Sequence, residues 1–140
     1  MKVKKILNIK THYSFEAPLF RASIPTGASH VISEDFASLD LNKYLLRKPE
    51  STFFVRVRGE SMIDRGIFDG DILVVDRSQQ PNENNVVVAG VDGEMAVKIL
   101  KHIDGQPYLY SANKKYLPIE IKPFMQFTIF GVVQYVIHRL

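Results

Sequence analysis

The chain contains no cysteine, which excludes a disulfide framework, a thiolate zinc site and a cysteine nucleophile together. It also lacks any apolar run approaching the roughly 18 residues that a membrane-spanning helix needs. Its Lys-rich start leads into no signal-peptide stretch. A soluble, cytoplasmic protein with no membrane partner is the expectation. Carboxylates are scarce at the start: among the first 26 residues Glu16 stands alone against Lys2, Lys4, Lys5, Lys10 and Arg21. The rest of the chain carries 13 basic and 14 acidic residues, so the net charge of +3 belongs to that start. A solvated terminus is its simplest meaning, and a basic face for nucleic acid the weaker alternative. Histidine occurs only at His12, His30, His102 and His138, without metal-ligand spacing, so no metal or cofactor is expected and nothing local supports a Ser–His–Asp triad.

What is present suits one globular domain. The 140 residues are 46% hydrophobic and 24% charged, enough to bury a core unaided. Residues 1–38 have no sustained period and a single glycine, Gly27, and they read as an extended N-terminal arm. Asp40 is suited to cap a brief helix over residues 41–46, which Pro49 stops. From residue 52 onward the pattern changes to short β segments. Phe53, Val55 and Val57 alternate with Phe54, Arg56 and Arg58, and further segments are expected at 72–75, 85–91, 94–100, 107–111 and 127–138. Asp92-Gly93 is a strong two-residue hairpin signal, and Asp104-Gly105 a less regular one. The fold expected is mostly β and compact, with the arm at 1–38 and the folded domain at 39–140.

Two residues carry possible chemistry. Ser61 follows a strand and Gly59, where a tight turn can expose its hydroxyl, although a serine after Gly-Glu is an ordinary turn residue. Lys98 interrupts the apolar strand Met95-Ala96-Val97-Lys98-Ile99-Leu100, with Ala96 and Leu100 on its own face and Val97 and Ile99 on the other. A strand-edge lysine that snorkels to water is the structural alternative. As a general base, a lysine with pKa near 10.4 leaves only about one molecule in 2,500 neutral at pH 7, and apolar surroundings correct that by disfavouring the ammonium.

The run Gly59-Glu60-Ser61-Met62, followed by Gly66-Ile67-Phe68-Asp69-Gly70-Asp71, resembles the LexA/UmuD family of self-cleaving serine–lysine peptidases. Val86 to Lys98 resembles the family strand that carries the lysine, and Ser61 and Lys98 lie 37 positions apart, as that pair would. The resemblance implies the compact β fold shared with signal peptidases, with Ser61 as nucleophile and Lys98 as general base. It also implies that the Ser61 N–H helps hold the oxyanion, that Met62 packs beside the site, and that Asp69, Gly70 and Asp71 form a turn. It implies a substrate as well, the protein's own arm. Gly27 is the only glycine before Gly59, so Thr26–Gly27 is the expected cleavage site, with Thr26 where the family has Ala or Cys.

The arm is too short for a DNA-reading domain, which favours the UmuD branch and leaves no direct sequence-specific DNA binding expected. That branch implies a homodimer, cleavage stimulated by RecA on single-stranded DNA in the SOS response, and a processed subunit for a UmuC-like Y-family polymerase in translesion synthesis. The alternatives are a cleavable transcriptional regulator without its DNA-binding domain, a signal-peptidase-like enzyme, which the missing anchor disfavours, and a non-enzymatic interaction subunit.

Overall fold

Strand β4 (Thr52–Arg58) buries Phe53, Val55 and Val57, so the sequence alternation is realised as one inward face. The computed structural model describes residues 1–8, 16–20 and 36–140. These fall into two units, residues 1–9 with 48–140, and residues 10–47. In the smaller unit β2 (Glu16–Phe20) pairs antiparallel with β3 (Phe36–Asp40), and β3 runs into the helix α1 (Leu41–Leu45). The Asp40 carboxylate accepts from the Asn42 N–H at 2.9 Å, the capping read from sequence, which contributes about 1 kcal/mol in typical helices.

The larger unit is one antiparallel sheet. Its other strands are β1 (Lys2–Asn8), β5 (Ile72–Asp76), β6 (Val86–Val91), β7 (Glu94–Ile103), β8 (Gln106–Tyr110), β9 (Ile119–Glu120) and β10 (Phe127–Ile137). The order is β1-β4-β5-β10-β6-β7-β8-β9, and β1 also meets β7 at Lys2 and Ala96, so the first six strands close into a ring. Asp92 and Gly93 have φ of 49° and 85°, and Asp104 and Gly105 have 52° and 78°, so both dipeptides make left-handed two-residue turns. The second is as regular as the first.

Two apolar clusters flank the sheet. One holds Val55, Val57, Leu73, Val75, Val88, Val97 and Met62, and the other Val87, Ala89, Leu100, Leu109, Ile121 and Val132. Each fully buried aliphatic side chain contributes about 1.5–3 kcal/mol relative to exposure.

The opening residues are more than a solvated terminus. Lys2, Lys4 and Lys5 are solvated as expected, but the backbone of Lys2–Asn8 pairs with β4, and Met1 is buried in the first cluster. Val3 packs against that cluster too, which gives the strand an apolar anchor despite its charge.

Candidate active site

Ser61 sits on a turn built by its neighbours. Gly59 has φ of 104°, a conformation that a side chain would strain, and its N–H donates to Asp69 Oδ1 at 2.8 Å. The Glu60 carbonyl accepts from Asn113 Nδ2 at 2.9 Å. Beyond Ser61 a short 3₁₀ turn (Ile63–Arg65) ends at Gly66, and Met62 is fully buried beneath, packing beside the site as expected. Asp69, Gly70 and Asp71 form the expected turn: the Gly70 N–H donates to the Val57 carbonyl at 2.9 Å, and Asp71 Oδ2 accepts from the Phe68 N–H at 2.8 Å. Asp71 Oδ1 meets His138 Nδ1 at 2.6 Å, tying the end of β10 to this turn.

Lys98 lies in the middle of β7 and is only 8% exposed. Val97 and Ile99 join the first cluster and Leu100 the second, as the alternation requires. Burial pushes the Lys98 ammonium below the usual lysine value, partly opposed by its hydrogen bond with the Met1 amine. Lys98 Nζ bonds Ser111 Oγ at 2.6 Å and lies 5.6 Å from the centre of the Tyr116 ring. No carboxylate is bonded to it among the described residues.

Ser61 and Lys98 line one cleft of roughly 620 Å³, together with Arg58, Glu60, Glu94 and Tyr116. The start of the chain, Met1, Lys2 and Val3, forms part of its wall. The Met1 amine donates to Ser61 Oγ and contacts Lys98, and the Met1 carbonyl accepts from the Val97 N–H at 2.7 Å. Burial first, and the adjacent Lys98 second, push that amine from 8.0 down to about 5. With Met1 in place Ser61 is only 2% exposed. The structure therefore brings the two sequence-predicted residues together, and places beside them Ser111, Asn113 and Met1, which the sequence reading did not single out. Thr26 and Gly27 lie outside the described residues. No group of three or more potential metal ligands occurs among the described residues. No helix there is long and apolar enough to cross a membrane.

A small β domain with a serine and a buried lysine in one cleft defines a class, and sequence comparison identifies the family. Residues 18–134 match the Peptidase S24-like family. The chain is 37% identical over 136 residues to Protein ImpA of Salmonella typhimurium, covering 90% of this chain and 86% of that one. It is 39% identical over 127 residues to Protein SamA of Salmonella typhimurium strain LT2, covering 88% and 86%. It is also 39% identical over 111 residues to the LexA repressor of Stenotrophomonas maltophilia, covering 79% of this chain and 51% of the repressor. The chain belongs to the Peptidase S24-like family, the LexA/UmuD family of self-cleaving serine peptidases.

Proposed function

We propose that this chain is a UmuD-like peptidase that cuts its own N-terminal arm with a Ser61–Lys98 dyad. The observation that carries the reading is a lysine buried in an apolar strand, with its ammonium disfavoured, in the same cleft as a serine on a glycine-shaped turn. A neutral Lys98 takes the Ser61 hydroxyl proton as Oγ attacks the Thr26 carbonyl. The resulting alkoxide is held by the Ser61 N–H. Lys98 then gives its proton to the leaving Gly27 amine, and water, deprotonated by Lys98, releases the acyl-enzyme. Gly27 suits the bond because a residue without Cβ lets the backbone approach the nucleophile closely. Met1 must leave Ser61 before the scissile bond can enter, so the cleavage-competent arrangement is a minor state that a partner can populate.

The likeness to ImpA, SamA and LexA supports a role in the SOS response, with a RecA filament on single-stranded DNA as the activating partner. The processed form would then work as a cytoplasmic homodimer beside a UmuC-like Y-family polymerase in translesion synthesis. The test is cleavage with and without RecA filaments, followed by gel filtration of the product with such a polymerase. Faster cleavage and co-elution are expected. A filament with no effect would remove the activating partner, and a product that elutes alone would remove the polymerase role and favour a cleavable regulator.

A further inference from the structure

Lys98 cannot be oriented by its own strand. Its same-face neighbours on β7 are Ala96 and Leu100, and neither side chain can form a hydrogen bond. The hydroxyl that meets it comes from across the sheet. The pairing of β7 with β8 begins at Ile103 and Gln106, around the Asp104-Gly105 turn, and runs through Ile99 opposite Tyr110. One step further along the same register sets Ser111 opposite Lys98, on the same face. The Nζ to Oγ distance of 2.6 Å is within hydrogen-bond reach.

The two residues after Ser111 reach the other half of the dyad. The Ala112 carbonyl accepts from the Asp64 N–H at 2.9 Å, and Asn113 Nδ2 donates to the Glu60 carbonyl at 2.9 Å, next to Ser61. Asn113 is 9% exposed, and its Oδ1 accepts from the Lys115 N–H at 3.0 Å, which fixes its amide. Three consecutive residues thus hold the base on one side and the nucleophile turn on the other.

We propose that Ser111 and Asn113 are positioning residues of the self-cleavage reaction, Ser111 aiming Lys98 and Asn113 fixing the turn that presents Ser61. The inference rests on the dyad reading above. A neutral amine has two N–H donors and one lone pair, and it works as a base only while the lone pair faces the serine hydroxyl. With Ser111 Oγ accepting one N–H, rotation of the amine is restricted and the lone pair can be kept toward Ser61. The same acceptor stabilises the ammonium, so its loss must lower the Lys98 pKa. The other titratable groups around Lys98 are the Met1 amine, Tyr116 and, across the cleft, Glu94, Glu60 and Arg58.

The experiment follows self-cleavage by mass against pH in the full-length chain, in wild type, Ser111→Ala, Ser111→Thr and Asn113→Ala. The Lys98 Cε resonance is titrated in parallel on a Ser61→Ala background. Ser111→Ala is expected to lower the plateau rate by about 10- to 100-fold. Its half-maximal pH and the Lys98 titration midpoint should both fall by about one unit. Ser111→Thr restores both. Asn113→Ala lowers the plateau without moving either midpoint. A merely structural role would lower the melting temperature and leave the midpoints in place, and that result overturns the assignment of Ser111. Asn113→Ala cleaving at the wild-type rate overturns the assignment of Asn113. A wild type that stays whole at every pH, with a Lys98 midpoint indifferent to Ser111→Ala, overturns the dyad reading and this inference together. An uncut wild type whose midpoint still shifts overturns the dyad reading and leaves Ser111 only a bonded partner of Lys98, with no reaction to position.

Discussion

Lys98 is placed where its charge costs most, inside an apolar strand and beside a second amine. Both amines are pushed down by burial, so the sign of the pH effect is the same for each. The unfolded chain binds the extra protons first, and stability must fall as pH falls. For Met1 the contribution is full above pH 8.0 and is lost as pH drops through about 5. Thermal melts between pH 8 and 5 are expected to show this decline, and Lys98→Met should reduce it. The same variant replaces a buried amine by an apolar chain of similar length, so it should gain about 1 kcal/mol at neutral pH while losing all self-cleavage. A Lys98→Met protein that melts lower and loses its pH dependence no further would show Lys98 to be a solvated strand lysine. The apolar surroundings of Lys98 were legible because period-two alternation is a local property of residues 95–100. Ser111 was legible in principle, since the two-residue turn at Asp104-Gly105 fixes which residue lies opposite Lys98. Reading it required trusting that turn over its irregular flanks. Met1 was not legible, because no local pattern says which groove a terminus enters.

At the scale of elements, β10 is shaped by two irregularities, between Ile129 and Gly131 and between Val133 and Tyr135. Gly131 lies at the first, where an added Cβ would come within 2.7 Å of Val75 Cγ1 and 2.9 Å of the Asp76 carbonyl oxygen. Backbone cannot step aside as a flexible side chain can, so Gly131→Ala is expected to destabilise by about 1–3 kcal/mol, read as a lower urea midpoint. An unchanged midpoint would mean that β5 and β10 have room for a Cβ at Gly131. Strands with clean alternation, such as β4, and strands joined by Asp-Gly turns were visible in the sequence. β1 was not, because its register shifts between Val3 and Lys5, and a bulge at that point breaks the period by which a strand is recognised. β9, with two residues, is too short to show a period at all.

For the molecule as a whole, the decisive element is again β1, since it pairs with β4 along its length and touches β7, closing the ring. Cleavage at Thr26–Gly27 would cut the covalent link between this strand and the rest of the sheet, and its departure would leave the β4 and β7 edges open to another extended segment. The processed chain, residues 27–140, should therefore melt below the uncut Ser61→Ala protein, and a synthetic peptide of residues 1–8 should raise its melting temperature in proportion to peptide concentration. A processed chain that melts like the uncut one and ignores the peptide would contradict the role given to β1. The family was legible from two short motifs, yet the contact of Met1 with Ser61 was not, because it joins residues 60 positions apart.

The central claim is tested most directly by the intact mass of purified protein held at mildly alkaline pH, where a larger share of Lys98 is neutral. Wild type should lose residues 1–26 and leave a product beginning at Gly27, while Ser61→Ala and Lys98→Ala stay whole. Wild type that remains intact with and without RecA filaments, or Ser61→Ala cut at the same bond and rate, would contradict it.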